Sequence, residues 1–308
     1  MALPNLLFID TNIWLDFYRA RNETALRLLE QAEAVADKII VNFQLEAEFK
    51  KNRQTAILEG MQELKSPQQI SRLGIFSDAK ATKVIQKNLR EVEKQSKMLK
   101  TRLARALENP AAHDPVYKVC QRIFHKQDSL NLTRENVLRR TIRRKAFRRF
   151  FQGYPPRKKN EISIGDAFNW EWMVHCASEK KADLVIVSRD SDYGASFENR
   201  AYINDHLRQE FSERVGRRRK LILHSRLSDA FKFFEIAVSP QEEKAETELV
   251  SNALALRASD TPIPSIGVTD FLKHMSEVSR GKRRLWEDMP LTEWRPKKER
   301  DSRENNSK

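Results

Sequence analysis

Glycine and cysteine are both scarce in this chain of 308 residues, with eight of the first and two of the second. Together with only 11 prolines, that scarcity excludes collagen-like and broadly low-complexity sequence, and it excludes a disulfide scaffold. Cys120 and Cys176 belong to no CxxC pair, which points to a reducing, cytoplasmic setting. No apolar run approaches the ~20 residues that a membrane-spanning helix needs, so no membrane partner is expected. The apolar stretch Leu6 to Ile9 is stopped at once by Asp10 and follows no basic residue, unlike a signal peptide. None of the six histidines forms an HxH or HExxH pair, which argues against a histidine-built metal site. What the chain has in excess is positive charge: 57 Lys and Arg against 43 Asp and Glu, a net +14. So basic a surface favours a polyanionic partner, nucleic acid first.

The order of apolar runs predicts an α/β protein. Leu6 to Ile9 reads as a short buried strand ending in Asp10-Thr11-Asn12, good caps for a helix from Ile13. Lys38 to Val41 reads as a second strand, with Asn42 capping a helix that carries Glu46 and Glu48. Residues 56–160 show no strand pattern but long helical spacings such as Val84, Leu89, Val92, Leu99 and Leu103, with Pro110 and Pro115 at a turn. The α/β pattern resumes with a helix from Asp166 to Lys180 and a strand from Leu184 to Val187 that ends in Ser188-Arg189-Asp190. A helix over Ala201 to Arg214, a strand over Leu221 to Leu223 and a helix over Leu227 to Ala237 follow. The organisation expected is an α/β domain of residues 1–55 and 161–238, an α-helical insertion of residues 56–160, and a C-terminal extension of residues 239–308, disordered at its end.

Asp10 and Asp190 both end strands, Asp166 opens a helix, and Glu48 lies in the helix after the second strand. Sites in open parallel sheets lie outside the carboxyl ends of the strands, so these acids are expected to converge there, with Asp192 as a fifth. Clustered carboxylates stay ionised only beside a compensating charge. Hard oxygen donors make that charge Mg²⁺ or Mn²⁺, not zinc. Asp183, at the opposite end of its strand, reads as structural, and Asp16 as solvated. Trp14, Trp170 and Trp172 read as packing residues, and Cys176 as buried and inert.

The segment Leu7-Phe8-Ile9-Asp10-Thr11-Asn12 resembles the opening of PIN-domain nucleases. Gln44 to Arg53, with Glu48 just before Phe49 and an Asn52-Arg53 close, resembles the second block of a bacterial PIN-like subgroup. Ile164-Gly165-Asp166-Ala167 and Val185 to Asp190 resemble the third and fourth blocks, and Leu207 to Phe211 a downstream Leu-x-x-Glu-Phe segment. The resemblance covers about Leu6 to Arg53 and Glu161 to Ala237. It implies a three-layer α/β/α sandwich around a central parallel sheet, interrupted here by the helical insertion. It implies metal-dependent cleavage of RNA, less often DNA, by a metal-activated water that leaves 5′-phosphate and 3′-hydroxyl ends. Asp10, Glu48, Asp166 and Asp190 would be the catalytic, metal-binding acids, with Asp192 as an added ligand. Thr11, Asn12 and Ser188 would orient those acids. One departure stands out: where the family often carries a second Asp beside the first of its fourth block, this chain has Arg189.

From Arg134 to Lys159 eleven Lys or Arg face a single acid, Glu135. Arg139, Arg140, Arg143, Arg144 and Arg148 are expected to point outward and bind nucleic acid, while Leu138, Ile142, Phe147, Phe150 and Phe151 dock on the core. Arg214 and Arg217 to Lys220, with Arg217 and Arg218 foremost, form a second basic patch. RNA is the favoured partner. The alternatives are a flap-type DNA nuclease, which would carry more acids and a helix-hairpin-helix glycine motif, and a non-catalytic RNA-binding protein on the same fold, which would have lost an acid.

Overall fold

The computed structural model describes residues 4–20, 23–63, 79–157, 163–198 and 200–259. The chain divides into a compact unit of residues 1–255 and a second of residues 256–308. All that follows concerns the first. The expected disorder at the far C-terminus lies outside the described residues, as do Lys158 and Lys159 of the basic segment.

In chain order the elements are β1 (Asn5–Ile9), α1 (Thr11–Arg19), α2 (Glu23–Ala34), β2 (Val41–Asn42), α3 (Phe43–Glu63), α4 (Lys80–Glu108), α5 (Pro110–His113), α6 (Pro115–Phe124), β3 (Asn131–Leu132) and α7 (Leu138–Gln152). There follow α8 (Gly165–Lys180), β4 (Asp183–Val187), β5 (Gly194–Phe197), β6 (Arg200–Ile203), α9 (Asp205–Arg214), β7 (Leu221–His224), α10 (Leu227–Phe233) and α11 (Pro240–Ser259). The central sheet is parallel, ordered β1-β4-β7, with Leu7 opposite Val185 and Ile186 opposite Leu223. Leu7 also bridges Ile39 in parallel, and β2 pairs with β3, so the row of strands continues past β1. Both faces of β1 and β4 are buried, which is why their sequences read as continuous apolar runs and not as alternation. Helices cover the sheet, the α/β architecture expected.

Several segments depart from the sequence expectation, among them the helix expected over Leu227 to Ala237, which ends at Phe233. Residues 56–160 are not wholly helical, because Asn131–Leu132 forms β3. Two residues leave no periodicity to read; they form a strand because β2 is there to pair with. In the same segment Val116, Cys120, Ile123 and Phe124 of α6 share the core with the sheet, whereas in α4 Ala106 is the one residue buried among those described. Pro110 and Pro115 stand at helix starts, where a missing N–H costs nothing. Next, Ala201 to Arg214 is not one helix. Arg200–Ile203 pairs antiparallel with β5, and Asn204 then caps α9 through the His206 amide at 2.9 Å. Finally, the second strand begins later than expected, since Lys38 lies in a 3₁₀ turn. The predicted cap of α3 is present, with Asn42 Oδ1 accepting from the Gln44 and Leu45 amides at 2.9 Å each.

Trp172 ties α8 to the β2–β3 pair by donating its indole N–H to the Val41 and Leu130 carbonyls, at 3.0 and 3.2 Å. Trp14 donates to the Ile9 carbonyl at 2.9 Å, directly below Asp10. These tryptophans and Trp170 are fully buried packing residues, and Cys176 is buried as expected. Beside the Asp16 and Arg189 end of the sheet, Glu246 of α11 accepts from the Leu227 and Ser228 amides at 2.5 and 2.9 Å and so caps α10.

Candidate active site

β1 and β4 end side by side, and each delivers an acid. Asp10 follows β1 and caps α1, its Oδ1 accepting from the Thr11 amide at 2.7 Å. Its Oδ2 accepts from Ser188 Oγ at 2.5 Å and from Asn12 Nδ2 at 3.3 Å. Ser188 Oγ in turn accepts from the Asp190 amide at 3.1 Å, so one hydroxyl ties the first acid to the loop carrying the fourth. Glu48 enters from α3. Thr11 Oγ1 donates to its Oε2 at 3.2 Å and Gln44 Nε2 to its Oε1 at 2.8 Å. Thr11, Asn12 and Ser188 thus all touch the acids that the resemblance has them orient. Glu46 is engaged elsewhere, by Lys50 at 2.5 Å and His125 at 2.8 Å.

Asp166 lies in the first turn of α8. The residue before it, Gly165, is packed so closely that a Cβ there would fall 2.2 Å from Glu48 Oε1. Any side chain here would make the Glu48 carboxylate shift from this position.

Tyr193 follows the loop of Asp190 and Asp192. Its ring is fully buried, and its hydroxyl has no hydrogen-bond partner among the described residues. Burial, then Asp166, Asp10, Asp190 and Glu48, push its ionisation well above the ordinary range. All four predicted acids therefore act on one buried phenol. Asp10 feels its neighbours as well: burial, then Asp190, with Glu48 adding, push its carboxyl up to about 7 against the bonds from Ser188 and Thr11. Asp192 is buried in the turn between Asp190 and Tyr193. Among the described residues, no three His, Cys, Asp or Glu side chains form a ready-made metal cage.

Two expectations about charge are corrected. Asp16 is not solvated but buried, and it pairs with Arg189 and, at 3.4 Å, with Arg19. Arg189 also donates to the Ser225 carbonyl at 3.2 Å. At the position where the family often has a second acid, this chain therefore has an ion pair tying the end of β4 to α1. Asp183 is structural as expected, accepting from the Lys220 amide at 3.0 Å.

The second correction concerns α7. Arg140, Arg143, Arg144 and Arg148 are exposed and Arg139 half-buried, but the docked stripe is Ile142, Ala146 and Arg149. Leu138, Phe147 and Phe151, expected to dock, are exposed. Arg149 is buried because α8 and α9 present buried or half-buried acids: it donates to Glu171 at 3.0 Å and to Glu210. Arg214, expected in the second basic patch, is drawn into the same cluster, 2.8 Å from Glu171 and 2.6 Å from Glu210. Arg217 and Arg218 remain exposed.

Gln44, Gly165 and Tyr193 are the site residues that sequence reasoning missed. Gln44 stands one helical turn before Glu48 and was legible as an i, i+4 partner. Gly165 lay inside a quoted block without a role assigned. Nothing local marks Tyr193, whose place depends on four distant acids.

No helix among the described residues is long and apolar enough to cross a membrane. Comparison with curated proteins and with solved structures finds no match. The sequence pattern of the PIN domain matches residues 7–193, more than half of the chain and including the segment between the second and third acid blocks. With four acid-bearing blocks in order and a parallel β1-β4-β7 sheet beneath them, this chain belongs to the PIN domain family.

Proposed function

We propose that the chain is a Mg²⁺- or Mn²⁺-dependent endoribonuclease that hydrolyses phosphodiester bonds of RNA. The observation that carries this reading is that Asp10, Glu48, Asp166 and Asp190 all act electrostatically on the buried Tyr193 phenol, with Asp10 and Asp190 following the carboxyl ends of β1 and β4. The donor chemistry of these residues suits a divalent cation. Their donors are oxygen, the repulsion that raises Asp10 asks for positive charge, and the orphaned Tyr193 hydroxyl asks for a polar partner. Asp10, Glu48, Asp166 and Asp190 would hold the ion, with Asp192 as an added ligand. When bound, it would make water a competent nucleophile near neutral pH and offset charge on the phosphate.

The protein's own contribution is positioning. Ser188, Asn12 and the Thr11 amide fix both oxygens of Asp10, while Thr11 and Gln44 fix those of Glu48. Carboxylates held in this way lose little order when the reacting phosphate arrives. The exposed arginines of α7, together with Arg217 and Arg218, supply phosphate contacts that position a strand without reading its sequence.

The test is cleavage of labelled single-stranded RNA, structured RNA and DNA by the purified chain, in Mn²⁺ and after exhaustive EDTA treatment. RNA cleavage that requires metal, and that falls at least ~100-fold in Asp10→Asn, is expected. Full activity after EDTA, or wild-type rates in Asp10→Asn, would overturn the assignment. Cleavage of DNA alone would move the substrate but not the site.

A further inference from the structure

Helix α7 is built in an unusual sense. It buries an arginine and leaves phenylalanines in water. Arg149 is buried in the interface with α8 and α9, while Phe151 is 80% and Phe147 37% exposed. The two rings stand one helical turn apart, stacked with centroids 6.4 Å apart and planes inclined by 22°. Arg143, one turn earlier, places its guanidinium over Phe147 at 5.4 Å. Arg143, Phe147 and Phe151 therefore make a ladder of flat groups at i, i+4 and i+8. Phe150 braces it edge-on against Phe151, with centroids 6.1 Å apart, and is itself covered by Arg157 at 4.7 Å. Arg140, Arg144 and Arg148 stand along one flank of it, all exposed, and the helix contains no acid.

We propose that Phe147 and Phe151, together with Arg143, form a base-stacking site for single-stranded nucleic acid. The proposal rests on the preceding reading only in taking nucleic acid as the partner. Flat apolar faces set in a field of fixed positive charge complement a polyanion with exposed flat faces, and unpaired bases on a phosphate backbone are that chemistry. A duplex offers the phosphates but keeps its bases stacked inside.

The site lies at the end of α7 where the acids are. Leu138, at the start of α7, shares a cavity wall with His175 and Glu179 near the end of α8, and Arg149 near the end of α7 reaches back to Glu171. The two helices are thus antiparallel, and Phe151 lies toward the end at which α8 begins with Gly165 and Asp166. From Glu171 to Asp166 the helix rises only about 7.5 Å. A strand stacked on Phe151 and led along α8 would arrive at the carboxylates.

The test measures binding by the full chain in EDTA, so that cleavage plays no part. The probes are a fluorescent single-stranded oligonucleotide, an abasic backbone of the same length, and a duplex. Phe147→Ala/Phe151→Ala should bind the single strand at least ~10-fold more weakly. It should keep the wild-type salt slope and bind the abasic and duplex probes within about twofold of wild type. Phe147→Trp/Phe151→Trp should retain single-strand affinity, and Phe147→Leu/Phe151→Leu should lose it. Unchanged melting of each variant confirms that the fold is intact, as expected for exposed positions. Equal losses on all three probes, or none, would overturn the stacking site while leaving the nuclease reading in place. Failure of the wild-type chain to bind any nucleic acid would overturn both. If wild type binds vesicles rich in anionic phospholipid, and the alanine pair abolishes that while sparing single strands, the surface serves a membrane and the proposal falls.

Discussion

Two groups of buried charge in this domain are handled in opposite ways. In the cluster between α7, α8 and α9, burial pushes the Glu210 carboxyl up, but Arg149 and Arg214 outweigh it and hold it below its usual range. At the carboxyl edge of the sheet, burial and then Asp190 push Asp10 up to about 7, and what opposes them is a hydroxyl and an amide. Guanidinium groups neutralise the acids they bind; hydroxyls and amides orient an acid without cancelling its charge. The first group is finished by folding. The second is oriented by its neighbours but not neutralised by them.

The most severe way to break this contrast is to open the finished cluster. Arg149→Ala strips Glu171 and Glu210 of one guanidinium and is expected to cost about 3–5 kcal/mol in urea unfolding, the range for removing one partner of a buried pair. A loss under about 1 kcal/mol would show that the cluster is solvated in practice.

A second variant distorts the oriented cluster without touching a charge. Gly165→Ala sets a methyl 2.2 Å from Glu48 Oε1, so the carboxylate must move. We expect cleavage to fall by about 10- to 100-fold, since misplacement by an ångström costs that order, with the melting temperature lowered far less than by Arg149→Ala. Wild-type rates would mean that Glu48 tolerates relocation.

The surface arginines of α7 sharpen the contrast from outside. Replacing Arg139, Arg140, Arg143 and Arg144 by Gln should lower the log–log salt slope of single-strand binding by up to ~3, about 0.7 for each lost contact. Measured across a salt series in Asp10→Asn, superimposable slopes would show that this face takes no phosphate. The smallest effect expected is on the resting protein: in chelator, Asp10→Asn should be as stable as wild type or more so, by about 1 kcal/mol at most, because one of several repelling carboxylates has gone. A clear loss of stability would mean that the Asp10 charge is structural.

How much of this was legible in the sequence depends on how local each cause is. β1 and β4 are buried on both faces by elements on either side, so their apolar runs announced them, and the acids at their ends followed. Asn42 as a cap was legible because its cause is equally local. Arg189 and Asp16 meet across 173 positions, and no spacing rule links them. β3 takes its form from its partner. For α7 the residues were read correctly but grouped wrongly. At 100° per residue Phe147 lies about 140° round the helix from Ile142, so the two never shared a face. The stripe that docks, Ile142, Ala146 and Arg149, contains an arginine, which no hydrophobic pattern selects.

The Ser188 hydroxyl has a consequence for how the protein assembles. It holds Asp10 and the Asp190 amide at once, and it does so from the residue that follows β4. Strand side chains alternate between faces, so slipping β4 by a single residue against β1 would swing Ser188 to the far side of the sheet and replace it with a neighbour of the wrong chemistry. Correct pairing of the two central strands and correct alignment of the acids are therefore one event. A misregistered chain would be silent, not merely slow, and recovery of cleavage after refolding would count correctly paired molecules.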